Sequence, residues 1–153
     1  MRARELAQRD FPQVSLDSDA VEAARLLSRE RLPGLVVLDT EGHPYTVLPG
    51  SQVLRFLVPR YVQDDPPLAR AFDERASDEL CAKLAKRTVG DLLPDKHDVD
   101  QIPIVAPDAT VIEIAAVMAR MHSPVVAVVD GDDVLGAITV RRLLDHLLPD
   151  PAA

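Results

Sequence analysis

The two halves of the chain carry the same sequence pattern, and this repeat restricts the fold more than any other feature. Glu22 in the first half matches Glu113 in the second, at a spacing of 91 residues, and Pro33 matches Pro124 at the same spacing. After a turn the spacing becomes 90, a one-residue change of the kind that duplicated units tolerate in loops. The sequence therefore predicts a duplication. The matched segments are 19–27 with 110–118, 35–39 with 126–130, and 51–54 with 141–144.

Each half is predicted to form a β-α-β-β-α unit. A short apolar strand leads into an amphipathic helix, and a buried strand, an acidic turn, a third strand and a short helix follow. Asp19 with Glu22, and Thr110 with Glu113, have the spacing of capping boxes at helix starts. Each unit is too small to complete a core alone. We therefore expect an α/β (α+β) fold in which two tandem units pack as one pseudo-symmetric module. The predicted strands are 14–16, 35–38 and 44–48, then 104–106, 125–129 and 134–140.

Residues 59–87 connect the two units and are predicted to be mainly helical. Pro66 and Pro67 suit the first turn of a helix, where a missing amide costs least, and Ser77-Asp78 is a candidate break. Apolar residues recur every four positions, which is typical of a helix with one apolar stripe. They are Leu68, Phe72, Ala76, Leu80 and Leu84. The expected organisation is a first unit over 1–58, a helical connector over 59–87, a second unit over 88–148 and a disordered tail over 149–153.

Charge and composition argue against several classes of protein. Acidic residues number 25 against 17 basic ones, and aromatic residues make up only 3% of the chain. An acidic, aromatic-poor surface is a poor partner for nucleic acid. No apolar run reaches the roughly 18 residues of a membrane span, and the charged N-terminus does not resemble a signal peptide. With Cys81 as the lone cysteine, no intramolecular disulfide is expected, so we expect a cytoplasmic protein without membrane insertion.

The order of motifs resembles a pair of CBS domains, also called a Bateman module. Residues 105–110, 123–130 and 135–139 carry the resemblance in the second unit, and Asp17 with residues 33–39 carries it in the first. It covers nearly all of the chain except the connector. Such pairs are typically regulatory, form homodimers, and bind AMP, ADP, ATP, S-adenosylmethionine or sometimes NAD between the repeats. The resemblance thus implies a ligand-sensing module.

The nucleotide motif of this family, Gly-x-x-Thr/Ser-x-x-Asp, is incomplete in both units. Gly136 and Thr139 match it, but Arg142 stands at the position of the ribose-binding Asp. In the first unit the Thr and Asp positions hold Pro49 and Gln52, so the first cleft is predicted to be degraded. Arg142 has two interpretations: a bidentate partner for an anionic ligand, or a solvated residue on the first turn of the last helix.

The resemblance places candidate ligand contacts at particular positions of this sequence. His122 matches Arg31 of the first unit at the mouth of a buried strand, where clefts of this family are lined. The histidines have no spacing typical of a metal site, and no catalytic constellation is visible. We therefore predict neither a metal nor a catalytic residue. The candidates are Ile104, His122, Pro124, Val125, Thr139 and Arg142 for the second cleft, and Leu35, Pro49 and Gln52 for the degraded first cleft.

Two functional hypotheses follow. The first is a non-enzymatic, stand-alone regulatory module that binds an adenosine-containing or other anionic metabolite between its repeats and acts on a separate enzyme or transporter. The second is a ligand-free module for dimerisation or protein interaction whose nucleotide sites have decayed. The missing Asp in both units favours the second hypothesis, whereas Arg142 as an anion partner favours the first.

Overall fold

The computed structural model describes residues 1–94 and 102–151, and the end of the predicted tail at 152–153 lies outside these ranges. Within them the chain forms two three-stranded sheets, ordered β1-β2-β3 and β4-β5-β6. In each sheet the first strand pairs in parallel with the second, and the second and third form an antiparallel hairpin. The predicted mixed α+β fold with two repeated units is confirmed. The strands are β1 (Gln13–Ser15), β2 (Gly34–Leu38), β3 (Pro44–Pro49), β4 (Ile104–Val105), β5 (Val125–Asp130) and β6 (Asp133–Thr139).

Helices cover the outer face of each sheet and also form the connector. In the first unit α2 and α3 pack on the sheet, and in the second unit α7 and α8 occupy the matching places. The helices are α1 (Ala3–Leu6), α2 (Ala20–Arg29), α3 (Gly50–Leu57), α4 (Arg60–Asp64), α5 (Glu74–Ala82), α6 (Val89–Leu92), α7 (Val111–Met121) and α8 (Val140–Leu147), with a 3₁₀ helix over Pro66–Ala71. None of these helices has the length and apolarity needed to cross a bilayer.

The two sheets bury their inner faces against each other. Side chains alternate along each strand, so that one set faces the helices of its own unit and the other set faces the opposite sheet. Val36 and Val47 of the first unit lie in one buried cluster with Val125 and Ala127 of the second. Phe11 belongs to the same cluster. This shared apolar layer joins the repeats into one module, because each sheet completes the core of the other.

Each unit also receives a short helix that belongs to the other unit in sequence. The helix α1 packs on the second unit, where the amide of Ala3 donates to the carbonyl of Ala109 at 2.9 Å. The helix α6, at the start of the second unit in sequence, packs on the first, where the amide of Val89 donates to the carbonyl of Ser18 at 2.9 Å. We call α1 and α6, with the residues next to them, the crossing segments. Each of them packs on the unit to which it does not belong in sequence.

These crossing segments correct one predicted helix cap, although the helix begins where the sequence predicted. The Thr110 hydroxyl accepts a hydrogen bond from the Glu113 amide at 3.2 Å, as a helix cap does. Asp19, predicted to form the matching capping box, makes no such side-chain bond. Its backbone pairs instead with Thr88 of the crossing segment, and the amide of Ala20 donates to Arg87. Tertiary pairing has taken the place of the local cap.

The connector contains three short helical pieces, and its break lies elsewhere than at Ser77-Asp78. The prolines at 66 and 67 begin a 3₁₀ turn, and Asp73 starts a new helix by accepting a hydrogen bond from the Ala76 amide at 2.9 Å. The break therefore lies at Phe72-Asp73, while α5 runs through Ser77-Asp78. Of the predicted apolar stripe only Leu84 is buried, in the core of the first unit. The prolines and the cap at Asp73 therefore determine where these helical pieces begin, and the four-residue apolar spacing does not.

Candidate functional site

Gly136, the first residue of the incomplete motif, is explained by a close approach of two backbone segments. Gln8 and Ala137 exchange backbone hydrogen bonds of 2.8 and 3.1 Å as the N-terminal segment crosses β6. A Cβ atom at Gly136 would lie 2.5 Å from the carbonyl oxygen of Gln8, closer than real Cβ contacts. The crossing segment therefore requires glycine here whether or not a ligand binds.

Thr139 begins α8 and faces the space between the repeats. Its Oγ1 accepts a hydrogen bond from the Arg142 amide at 3.2 Å, which caps the helix. The hydroxyl proton is still free to be donated, since the cap uses only an oxygen lone pair. In the first unit the matching residue Pro49 makes no side-chain cap. Only the second unit therefore offers a hydroxyl at this position.

The residues at the family's Asp position are both hydrogen-bond donors to a crossing helix. Arg142 donates from Nε to the carbonyl of Leu6, at the end of α1. Gln52 donates from Nε2 to the carbonyl of Leu92, at the end of α6, at 2.9 Å. The last carbonyls of a helix have no partner within the helix, so these side chains satisfy them. The structure thus shows both residues in matching contacts that hold the crossing helices.

A cleft of about 560 Å³ lies between the repeats. The first repeat contributes the segment 30–33, and the second contributes Pro124 and the start of α8. Arg31 and Arg141 bring one cation from each repeat, while Glu30 is the acidic residue among the lining side chains. The full lining is Gln8, Phe11, Glu30, Arg31, Leu32, Pro33, Pro124, Thr139, Val140 and Arg141.

The predicted site residues are only partly brought together. Pro124 and Thr139 line the cleft. Ile104 and Val125 belong to the apolar layer between the sheets, His122 lies exposed at the end of α7, and Arg142 reaches Leu6 instead. In the first unit, Leu35 is fully buried against its helices, and Gln52 lines a different cavity.

Sequence reasoning missed both arginines that line the cleft. The sequence did contain a signal for Arg31, because the 91-residue repeat spacing aligns it with His122, a candidate ligand contact. Arg141 is the neighbour of Arg142, and only the direction of the helix start decides which of the two faces the cleft. Arg31 and His122 share one further property: their φ angles of 53° and 49° lie in the left-handed region, where glycine is favoured.

Metal-binding groups and perturbed acids do not add to this site. Among residues 1–94 and 102–151, no group of three or more His, Cys, Asp or Glu side chains has the geometry to hold a metal ion. The pKa of Asp91 is lowered, chiefly because its carboxylate accepts a hydrogen bond from the Thr88 backbone amide. That residue belongs to the start of α6 and not to the cleft.

Comparison with known proteins agrees with the tandem architecture. A family model described as "CBS domain" matches residues 3–51 and 89–149. The chain belongs to the CBS-domain family. Its two CBS units correspond to the two sheets with their helices, so the expected resemblance to a CBS pair is confirmed.

Solved structures resemble this CBS pair over nearly its whole length. A CBS domain-containing protein of unknown function from Kribbella flavida is 52% identical, with 97% of this chain and 99% of that chain covered and a TM-score of 0.77. The CBS domain of a CBS domain-containing membrane protein from Sphaerobacter thermophilus is 22% identical, with 98% and 90% covered and a TM-score of 0.69.

A hexameric CBS-CP12 protein from bloom-forming cyanobacteria is 19% identical, with 94% of this chain and 69% of that chain covered and a TM-score of 0.62. The Sphaerobacter and cyanobacterial structures, at 22% and 19% identity, show that the fold is shared. The curated proteins contain no significant match to the sequence.

Proposed function

We propose that this CBS pair is a non-catalytic regulatory module that binds an anionic metabolite in the cleft between its repeats. The observation that carries the proposal is the meeting of Arg31 and Arg141, one from each repeat, in a cleft of about 560 Å³ that also contains Thr139. A ligand held by both arginines would contact both repeats at once. Binding there would favour one relative arrangement of the repeats, provided that its affinity differs between arrangements.

The charges around the cleft suit an anion. The chain carries a net charge of −8, yet two of the three charged residues lining the cleft are arginines. Neither arginine lies within 4.0 Å of a carboxylate oxygen in the part of the chain that the structure describes. Their guanidinium groups are therefore free to donate paired hydrogen bonds to a phosphate or carboxylate. The Thr139 hydroxyl supplies one further donor.

The class of ligand is inferred from the residues that line the cleft and from Arg142, which stands at the Asp position of the family motif. Adenosine-containing ligands such as AMP, ADP, ATP or S-adenosylmethionine are one class to test, as the family suggests. Arg142 occupies the position of the ribose-binding carboxylate and is itself a donor, so the sugar hydroxyls would find no two-acceptor group there. We therefore infer that the anionic part of the ligand supplies more of the affinity than the ribose does.

A second candidate function is supported by a different observation, the exposed apolar residues of α3, α7 and α8. Leu54 is 61% exposed, and its repeat-related residue Leu144 is 45% exposed. Ile112, Leu147 and Leu148 are exposed as well. The repeat thus presents exposed apolar residues at matching positions of α3 and α8. In a two-fold dimer the same surface of each copy meets its counterpart, so an exposed apolar surface is buried by a second copy. This arrangement favours a homodimer, with or without a ligand.

Calorimetric titration with ATP, AMP, S-adenosylmethionine and NAD tests the proposal. An Arg31→Gln/Arg141→Gln variant should lose binding, while Arg29→Gln, an exposed arginine that does not line the cleft, should retain it. No heat with any of these ligands, nor with inorganic pyrophosphate, would contradict the regulatory role.

The oligomeric state tests the alternative separately. Sedimentation should give a dimer for the natural chain and a monomer for Leu144→Glu, because a charge at an apolar interface is costly. Partner capture from cells would then identify the enzyme or transporter on which the module acts.

A further inference from the structure

A second and larger cavity, of about 870 Å³, lies on the first unit between α3 and the connector. We call it the connector groove, and its described lining comes entirely from residues 52–94. From the second unit, its described lining includes only residues 91–94, at and after α6, which packs on the first unit. Among the described residues, the groove shares no lining residue with the cleft between the repeats. Gln52 is the only predicted site residue that lines it among those described.

Three cations from three different elements converge on the connector groove. Arg55 comes from α3, Arg60 from α4, and Lys83 follows α5. Across the described ranges, no carboxylate oxygen lies within 4.0 Å of any of these side chains. The exposed arginines 25 and 75, in contrast, each pair with a neighbouring glutamate. Within the described ranges, the groove therefore brings together cations that have no ion-pair partner, in a chain that is acidic overall.

Hydrogen bonds hold the walls of the connector groove in place. The Gln63 side chain donates to the carbonyls of Arg55 and Val58, at 3.0 and 2.7 Å, and thereby ties α4 to the end of α3. The ammonium of Lys83 donates to the carbonyl of Leu57 at 3.3 Å. Because these elements are already held together, less ordering is needed when a ligand binds.

The acids and apolar residues of the groove indicate what kind of anion would fit. Asp91 already accepts a hydrogen bond from the Thr88 amide at 2.9 Å, and Asp64 is the other acid of the lining. Among the described lining residues, the cations therefore outnumber the acids by three to two. Phe56 and Leu93, both half-buried, provide apolar surface beside the charged groups. A ligand would thus combine a phosphate with an apolar or aromatic body.

We propose that the connector groove binds a small organic phosphate, with the phosphate held by Arg55, Arg60 and Lys83 and the apolar body placed against Phe56. Guanidinium and ammonium groups form strong, charge-assisted hydrogen bonds with phosphate oxygens. This site is additional to the proposed regulatory cleft and does not depend on it.

Nuclear magnetic resonance titration of the full chain with phenyl phosphate, at constant ionic strength, tests the proposal. Saturable shifts are expected for the backbone amides of α3 and α4. The double variant Arg55→Gln/Arg60→Gln should bind at least about tenfold more weakly, because two charge-assisted contacts are lost. The matched control Arg29→Gln/Arg70→Gln removes two exposed arginines that do not line the groove and should bind as the natural chain does.

Three results would overturn the proposal: no saturable shift at millimolar phenyl phosphate, equal binding by the groove variant, or binding of inorganic phosphate as tight as that of phenyl phosphate. An unchanged melting temperature for the groove variant shows that it folds, as expected for exposed, unpaired arginines. The cleft variant Arg31→Gln/Arg141→Gln should leave this titration unaffected, so that the two sites succeed or fail independently.

Discussion

The Arg142 side chain donates from Nε to the backbone carbonyl of Leu6, a residue 136 positions earlier in the chain. Gln52 makes the matching contact with Leu92, 40 positions later. Both side chains stand where the family motif has a ligand-binding carboxylate, and both instead satisfy the last carbonyl of a crossing helix. A carboxylate could not do this, because it has no proton to donate. In this CBS pair, Arg142 and Gln52 therefore stabilise the packing of the helices α1 and α6.

Replacing Arg142 should destabilise the fold. Arg142→Ala leaves the Leu6 carbonyl without its partner, and we expect a loss of about 1–2 kcal/mol in the free energy of unfolding. Arg142→Asp should be less stable still, because it places an acceptor against an acceptor. Urea denaturation measures the effect. Arg141→Ala is the matched control: it should leave stability unchanged and weaken anion binding. Equal stability of both alanine variants would contradict the structural role of Arg142.

Gly136→Ala should displace the N-terminal segment. The added methyl group would lie 2.5 Å from the Gln8 carbonyl oxygen, so the crossing backbone would have to move. We expect a loss of about 2 kcal/mol or more, as for other overpacking changes. Hydrogen exchange at the Ala137 amide, which donates to Gln8, reports the displacement. The control Gly50→Ala meets its nearest neighbour at 3.9 Å and should be tolerated. Unchanged exchange at Ala137 would refute this explanation of the glycine.

Replacing Arg31 and His122, which follow α2 and α7 in a left-handed backbone conformation, should change stability in both cases but anion binding in only one. Arg31→Gly and His122→Gly each remove a side chain from a backbone conformation that favours glycine, so each should raise stability by about 0.5–1 kcal/mol. Only Arg31 lines the cleft. Thermal unfolding and anion titration should therefore show two stabilised variants, of which only Arg31→Gly binds more weakly. A loss of binding in His122→Gly would instead support the contact that the sequence predicted.

Asp91 should contribute to stability in a pH-dependent way. Its pKa is lowered from the ordinary value of 3.8, chiefly by the hydrogen bond from the Thr88 amide, so the folded state favours the ionised carboxylate. This contribution is fully present above pH 3.8 and is lost as the pH falls through the lower pKa of the folded state. Asp91→Asn should thus be less stable than the natural chain at neutral pH. The difference between the two should shrink in acid denaturation curves, and a constant difference would refute the assignment.

Sequence patterns predicted the repeated elements well because those elements depend on local chemistry. Continuous apolar runs identified β2 and β5, and Thr110 indicated the start of α7. The same reasoning failed at Asp19, where a segment distant in sequence pairs with the backbone. It also failed in the connector, where a regular apolar spacing concealed a break whose signal was the cap at Asp73. Local rules were reliable where no distant segment competed.

The candidate site was predicted only in part, since a cleft is made by two surfaces that sequence order does not bring together. Pro124 and Thr139 were predicted from the resemblance to CBS pairs, and both line the cleft. Arg31 belongs to the other repeat, and its approach to Arg141 depends on how the sheets face each other through Val36, Val47 and Val125.

The sequence by itself determined that this chain folds as two repeated β-α-β-β-α units, because strand and helix patterns and the 91-residue spacing are properties of the chain alone. The resemblance of its motifs then indicated that these are CBS units. Only the tertiary structure decided which arginines face the cleft, which side chains hold the crossing helices, and why Gly136 is required. The physical reason is that each of these depends on segments distant in sequence: the packing of the two sheets brings Arg31 to the second repeat, and folding brings the carbonyls of Leu6, Gln8 and Leu92 to the unit on which they pack.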